Sequence, residues 1–137
     1  MQIGSIVTCD NLIFHDNVMD KKKNRPCVVL CNIDDEKVCI CPITTSLKAL
    51  NNFPDMHYFI PETIYNYKKI SIAELNNLLI YNINDLIDKH IILSDNTMSQ
   101  LFNKLLRFYE YKEKNEEIIN IIKENSQERV LKKVLKK

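Results

Sequence analysis

The sequence predicts an α+β fold: the strands of a small antiparallel barrel or folded sheet, then an amphipathic helix packed on them, with a further helical extension at the end of the chain. Three observations lead there. Short apolar runs of strand length succeed one another through the first part of the chain. From Ser94 the apolar spacing changes to three and four residues, the period of a helix. Beyond Tyr111 the charged stretch KEKNEE separates a second helical pattern from the first. The domain reading is therefore a barrel over residues 1–111 and a helical extension over 112–137.

The first predicted strand runs from Ile3 to Cys9 and is followed by NLIFHDNVMDKKKN, a long connection for so small a domain and a candidate binding loop. Next comes KNRPCVVLC, in which Cys27 to Cys31 reads as a buried strand with Pro26 tolerated at its start. After the turn-like NIDDEK, a third strand from Val38 to Ile43 ends in Thr44, Thr45 and Ser46. If these two strands pair as a hairpin, the start of one lies beside the end of the other, so Arg25 and Thr44 share a rim. Met56 to Ile60, Ile70 to Ala73 and Leu78 to Tyr81 supply the remaining strands.

Met98, Leu101, Phe102, Leu105, Leu106 and Tyr109 then form the apolar face of a helix with Ser94 or Asp95 as N-cap. In the extension, Ile118, Ile119, Ile121 and Ile122 and then Val130, Leu131, Val134 and Leu135 make a stripe expected to dock on a barrel of its own or a neighbouring subunit. Glutamates near its start and lysines at its end complement a helix dipole.

Composition limits the function classes. The 137 residues, 45% of them hydrophobic and 27% charged, suit one globular domain and not a disordered chain. No apolar run reaches the length of a membrane span and the N-terminus has no signal-peptide pattern, so a cytoplasmic protein without a membrane partner is expected. Five cysteines, an odd number, fit a reducing compartment. By strand alternation Cys27 with Cys31 and Cys39 with Cys41 each share a face, which raises a zinc question. The ligand spacing of zinc turns is absent, so the reading is no metal and no cofactor. A net charge of +1 gives little pull on nucleic acid beyond a local patch from Lys21, Lys22, Lys23, Arg25, Lys48, Lys68 and Lys69.

The ordered series GSIVTCD, NRPCVVL and VCICPITTS resembles the opening of the MazF/PemK/Kid family of toxin endoribonucleases, with an arginine-proline strand followed by a strand ending proline, any residue, threonine. FPDMHYFIP resembles that family's next strand, ISIAELNNLLIYNI its two central strands and LSDNTMSQLFNKLLRFYEY its closing helix, so the likeness covers Ile3 to about Tyr111. It implies an SH3-like barrel of the Kid/MazF type. It also implies a homodimeric, metal-independent endoribonuclease acting on single-stranded RNA, the toxin of a toxin–antitoxin system held by an antitoxin, expected to be a protein and not an RNA.

Under this resemblance Arg25 takes the place of the catalytic arginine and Thr44 that of the catalytic threonine. The chemistry agrees, because a guanidinium holds two phosphate oxygens and a hydroxyl adds a donor to a pentacoordinate phosphate. Lys21, Lys22, Lys23, Thr45, Ser46, Lys48, Asn76 and Asn77 are the candidate RNA contacts. Where many members carry an acidic residue, glutamine and a basic residue, the alignment sets Asn76, Asn77, Leu78 and Leu79. That leaves His15 in the long loop as the candidate for proton transfer, with Glu74 a further acidic candidate whose direction alternation leaves open. His57 and His90 read as structural. Two other classes stay open: a toxin-like barrel without catalysis that binds RNA or protein, and a related toxin inhibited by an RNA antitoxin.

Overall fold

A computed structural model of the chain describes residues 1–9, 25–62, 64, 70–110 and 119–124. Seven strands make one antiparallel sheet: β1 (Ser5–Cys9), β2 (Arg25–Asn32), β3 (Lys37–Thr44), β4 (His57–Ile60), β5 (Ser71–Glu74), β6 (Leu79–Asn82) and β7 (Ile87–Ile92). Their order is β4-β5-β3-β2-β1-β7, and β6 pairs with the other half of β3. Helix α1 (Leu47–Asn52) follows β3, helix α2 (Asp95–Glu110) follows β7, and residues 119–124 are helical again.

The predicted hairpin forms between β2 and β3. Its turn is held by the Asp34 carboxylate, which accepts from the backbone N–H groups of Glu36 and Lys37 at 2.8 Å each. An aspartate at such a turn mimics a backbone acceptor, so the chain reverses without glycine. Gly4 is used where no other residue fits. Its φ is +90°, its N–H donates to Val29 O at 2.8 Å and its carbonyl accepts from Leu93 N at 3.0 Å, which ties the start of β1 to β2 and to the end of β7. A Cβ there would stand 3.2 Å from Met98 Cγ.

Both faces of the sheet are buried. One carries Ile6, Val28, Cys41, Ile43, Ala73 and Leu75 against Met98, Leu101, Phe102 and Leu105 of α2. The other gathers Val7, Cys9, Cys27, Val29, Val38, Ile40, Leu79 and Leu86. The helix starts where its sequence says it should: Ser94 Oγ accepts from Thr97 N at 3.2 Å, so Ser94 is the cap. Ile119 and Ile122 join the α2 side of the core, Ile122 with no exposure. The rest of the predicted extension, including Val130 to Leu135, lies outside the described residues.

Two elements join the predicted series, and one expectation is corrected. Residues IDKHII form β7, an edge strand without apolar alternation, and Leu47–Asn52 form α1; neither is evident in the sequence pattern. Asn76 and Asn77 lie between β5 and β6, as the predicted strand bounds place them. Cys27 and Cys31 do not share a face: the β2–β3 register shifts between Val29 and Cys31, and this bulge turns Cys31 to the helix side with Cys39 and Cys41 while Cys27 stays with Cys9.

Candidate active site

The site is built by strand register. Cys27 pairs with Pro42 across β2 and β3, so two residues further Arg25 comes level with Thr44. On the other side of β3, Thr44 pairs with Ile72 and Ile43 with Ala73, which brings Glu74 level with Pro42. Paired residues in an antiparallel sheet point to the same face. Arg25, Thr44 and Glu74 therefore stand on one face, the guanidinium and the carboxylate reaching from the strands on either side of β3.

They meet. Arg25 Nη2 donates to Glu74 Oε1 at 2.9 Å, with the side chains 9% and 15% exposed. Asn77 Nδ2 donates to Glu74 Oε2 at 3.2 Å, so both carboxylate oxygens are held. The expectation of Arg25 as an open rim residue is corrected by this pairing: the residue is buried at 8% exposure and its charge is met within the fold. Burial without such a partner would carry a large desolvation penalty.

Thr44 is half-buried, and its Oγ1 accepts from Ser46 N at 3.2 Å. That contact occupies a lone pair and leaves the hydroxyl hydrogen able to donate. Ser46 caps α1 through Oγ, which accepts from Ala49 N at 3.2 Å, so its hydroxyl serves the helix. Thr45 and Lys48 are exposed beside it. Asn76 is exposed, whereas Asn77 is committed to Glu74. His15, Lys21, Lys22 and Lys23, and with them the loop expected to cover the site, lie outside the described residues.

Sequence reasoning left Glu74 undecided and set His57 aside. Glu74 lies two positions before Asn76 and its carboxylate meets Arg25. His57 pairs directly with Glu74 across β4 and β5 and is buried at 6% exposure. Its Nδ1 lies 2.8 Å from the carbonyl oxygen of Phe53, which can only accept, so Nδ1 carries a hydrogen. For His57 the signal was alternation: Tyr58 and Ile60 pack in the helix-side core, which turns His57 and Phe59 to the face of Glu74.

Two cysteines border this site through backbone contacts, Cys27 at Arg25 O and Cys41 at Glu74 O. Cys31 and Cys39 oppose one another across β2 and β3 and are hydrogen-bonded. That contact lowers the Cys31 thiol and, with burial, pushes Cys39 well up. Cys41 is raised chiefly by burial, and its Sγ donates to Glu74 O at 3.0 Å. Among the described residues no three of His, Cys, Asp or Glu form a metal-binding group. No helix among them is long and apolar enough to cross a membrane. Compared with known proteins, the chain matches no family model and no curated protein.

Proposed function

We propose that the protein is a metal-independent endoribonuclease that cleaves single-stranded RNA by attack of the substrate's own 2′-hydroxyl. The observation that carries the reading is the placement of guanidinium, hydroxyl and carboxylate on one face, around the end of β3. Glu74 accepts the 2′-hydroxyl proton. Arg25 and Thr44 stabilise the charge that gathers on the phosphorane oxygens.

The ion pair gives this division of labour a physical logic. In the resting protein the guanidinium is neutralised by Glu74. As Glu74 takes a proton it loses its charge, and the guanidinium turns to the phosphate at the moment charge develops there. The interaction is thus stronger in the transition state than in the ground state, which is the condition for catalysis. Preorganised donors of this kind contribute about 3–4 kcal/mol each in well-studied cases.

With the sequence resemblance, the same reading makes the protein a toxin of the MazF/PemK/Kid type on an SH3-like barrel, cytoplasmic and homodimeric, restrained by a protein antitoxin. The test is a cleavage assay on long mixed-sequence RNA in EDTA, with Arg25→Lys and Glu74→Gln alongside. Fragments ending in 2′,3′-cyclic phosphate and 5′-hydroxyl are expected, with DNA of the same sequence intact because it lacks the nucleophile. Equal cleavage by all three proteins would assign the activity elsewhere. No cleavage at any concentration would leave a binding module whose Arg25–Glu74 pair is structural.

A further inference from the structure

We propose that His57 is the general acid of this site, giving its Nε2 proton to the departing 5′-oxygen; the inference rests on the ribonuclease reading above. Transesterification of RNA needs two proton transfers. One proton leaves the 2′-oxygen as it bonds to phosphorus, and one joins the 5′-oxygen as its bond to phosphorus breaks. Glu74 accounts for the first only. A second group must lie close to the first, on the same face, with a proton to give near neutral pH.

His57 lies in that position and is the residue type suited to such a transfer. It is the direct partner of Glu74 across β4 and β5, on the side of β5 away from Arg25. Directly opposed residues have Cβ atoms about 5 Å apart, so the two side chains start next to one another on this face. The carbonyl of Phe53 at 2.8 Å fixes the hydrogen on Nδ1. The proton available for transfer is therefore the one on Nε2. A backbone acceptor on one ring nitrogen that sets the role of the other is the usual arrangement of a working histidine.

That carbonyl is itself fixed. Phe53 closes α1, its N–H donating to Ala49 O at 2.9 Å, and its carbonyl also accepts from Met56 N at 3.1 Å in the 3₁₀ turn Pro54–Met56. The segment FPDM thus works as a bracket that sets the imidazole angle. The carboxylates placed beside His57 are Glu74, its partner across β4 and β5, and Asp55 in the 3₁₀ turn that leads into β4.

The step balances within the site. The 2′-oxygen bonds to phosphorus, its proton passes to Glu74, the bond from phosphorus to the 5′-oxygen breaks, and the Nε2 proton goes to that oxygen. The cyclic phosphate and 5′-hydroxyl leave, and water resets the two protons.

The experiment compares ordinary RNA with an oligonucleotide whose single scissile linkage carries sulfur at the 5′-bridging position, a leaving group that needs no proton. His57→Asn keeps an N–H donor near the place of Nδ1 but has nothing at Nε2. On ordinary RNA it should lower kcat by about a hundredfold or more. On the sulfur-bridged linkage it should cleave within a few-fold of wild type. Equal losses on both linkages would make His57 structural, and no loss on either would remove it from the reaction. If His57→Asn does not fold, His57→Gln replaces it. If neither folds, the wild-type pH profile decides: an alkaline fall in kcat on ordinary RNA must disappear on the sulfur-bridged linkage. Should wild-type protein cleave neither linkage, the ribonuclease reading itself falls, an outcome distinct from the others.

Discussion

Arg25 and Glu74 are joined at 2.9 Å although their strands are not neighbours: β2 and β5 flank β3, and the two side chains bridge over it beside Thr44. A buried pair of this kind adds little net stability when compared with apolar residues of the same shape. Removing one partner is a different matter, because the other charge is left in the interior.

Arg25→Ala should therefore destabilise the fold by about 3 kcal/mol or more, since it strands the Glu74 carboxylate. The double variant Arg25→Met with Glu74→Leu should recover most of that loss. Urea midpoints for the two variants check this, and equal midpoints would mean that the pair is solvent-screened. The same logic makes Arg25→Lys the better probe of chemistry, because it retains the charge while losing the fork that spans two phosphate oxygens.

Metal removal should leave the protein unchanged. The bulge between Val29 and Cys31 divides the cysteines between two cores, Cys9 and Cys27 on one face and Cys31, Cys39 and Cys41 on the other. Dialysis against EDTA should not shift the melting temperature. A drop accompanied by released zinc would show that thiolates from both faces come together after all.

Much of this was legible in the residues. The β2–β3 hairpin and the Ser94 helix follow from apolar runs and spacing, and the rim shared by Arg25 and Thr44 follows from pairing alone. What was hidden depends on register between segments distant in sequence. Glu74 meets Arg25 only because β5 pairs with the end of β3, and a bulge in β2 reverses Cys31; periodicity within one strand carries neither fact. Strand β7 was missed because its side chains are mostly exposed, so no alternation marks it.

Alkaline pH should weaken the fold. Burial raises the Tyr109 phenol well above its ordinary value of 10 and the Cys41 thiol well above 9, while the rise of Cys39 is set against the lowering of its hydrogen-bonded partner Cys31. The folded state thus keeps protons that the unfolded chain releases, so stability is full below about pH 9 and falls as pH rises past the unfolded values. Urea midpoints between pH 8 and pH 11 should decline. Tyr109→Phe should flatten the part of the fall above pH 10, while losing the bond from Tyr109 Oη to Leu75 O at 2.9 Å. A midpoint that does not change across this range would mean that these groups titrate alike in both states.

The last prediction concerns the end of the chain. Ile119 and Ile122 pack into the same core as Leu101, Leu105 and Tyr109, and Ile122 is fully buried. An appended solvated tail would leave such residues exposed, so the helical turn at 119–124 is part of what covers α2. Ile122→Ala removes three methyl or methylene carbons from a closed site and should cost about 2–4 kcal/mol, the range for large-to-small changes in cores. Ile121→Ala, at a half-buried position on the same turn, should cost less. Truncation after Tyr111 should be worse than either, because it uncovers the apolar face of α2 and invites association. Thermal melts and sedimentation of the three variants check the order. If the truncated chain melts like wild type and stays at its association state, the contact of Ile122 with the core contributes nothing to the fold.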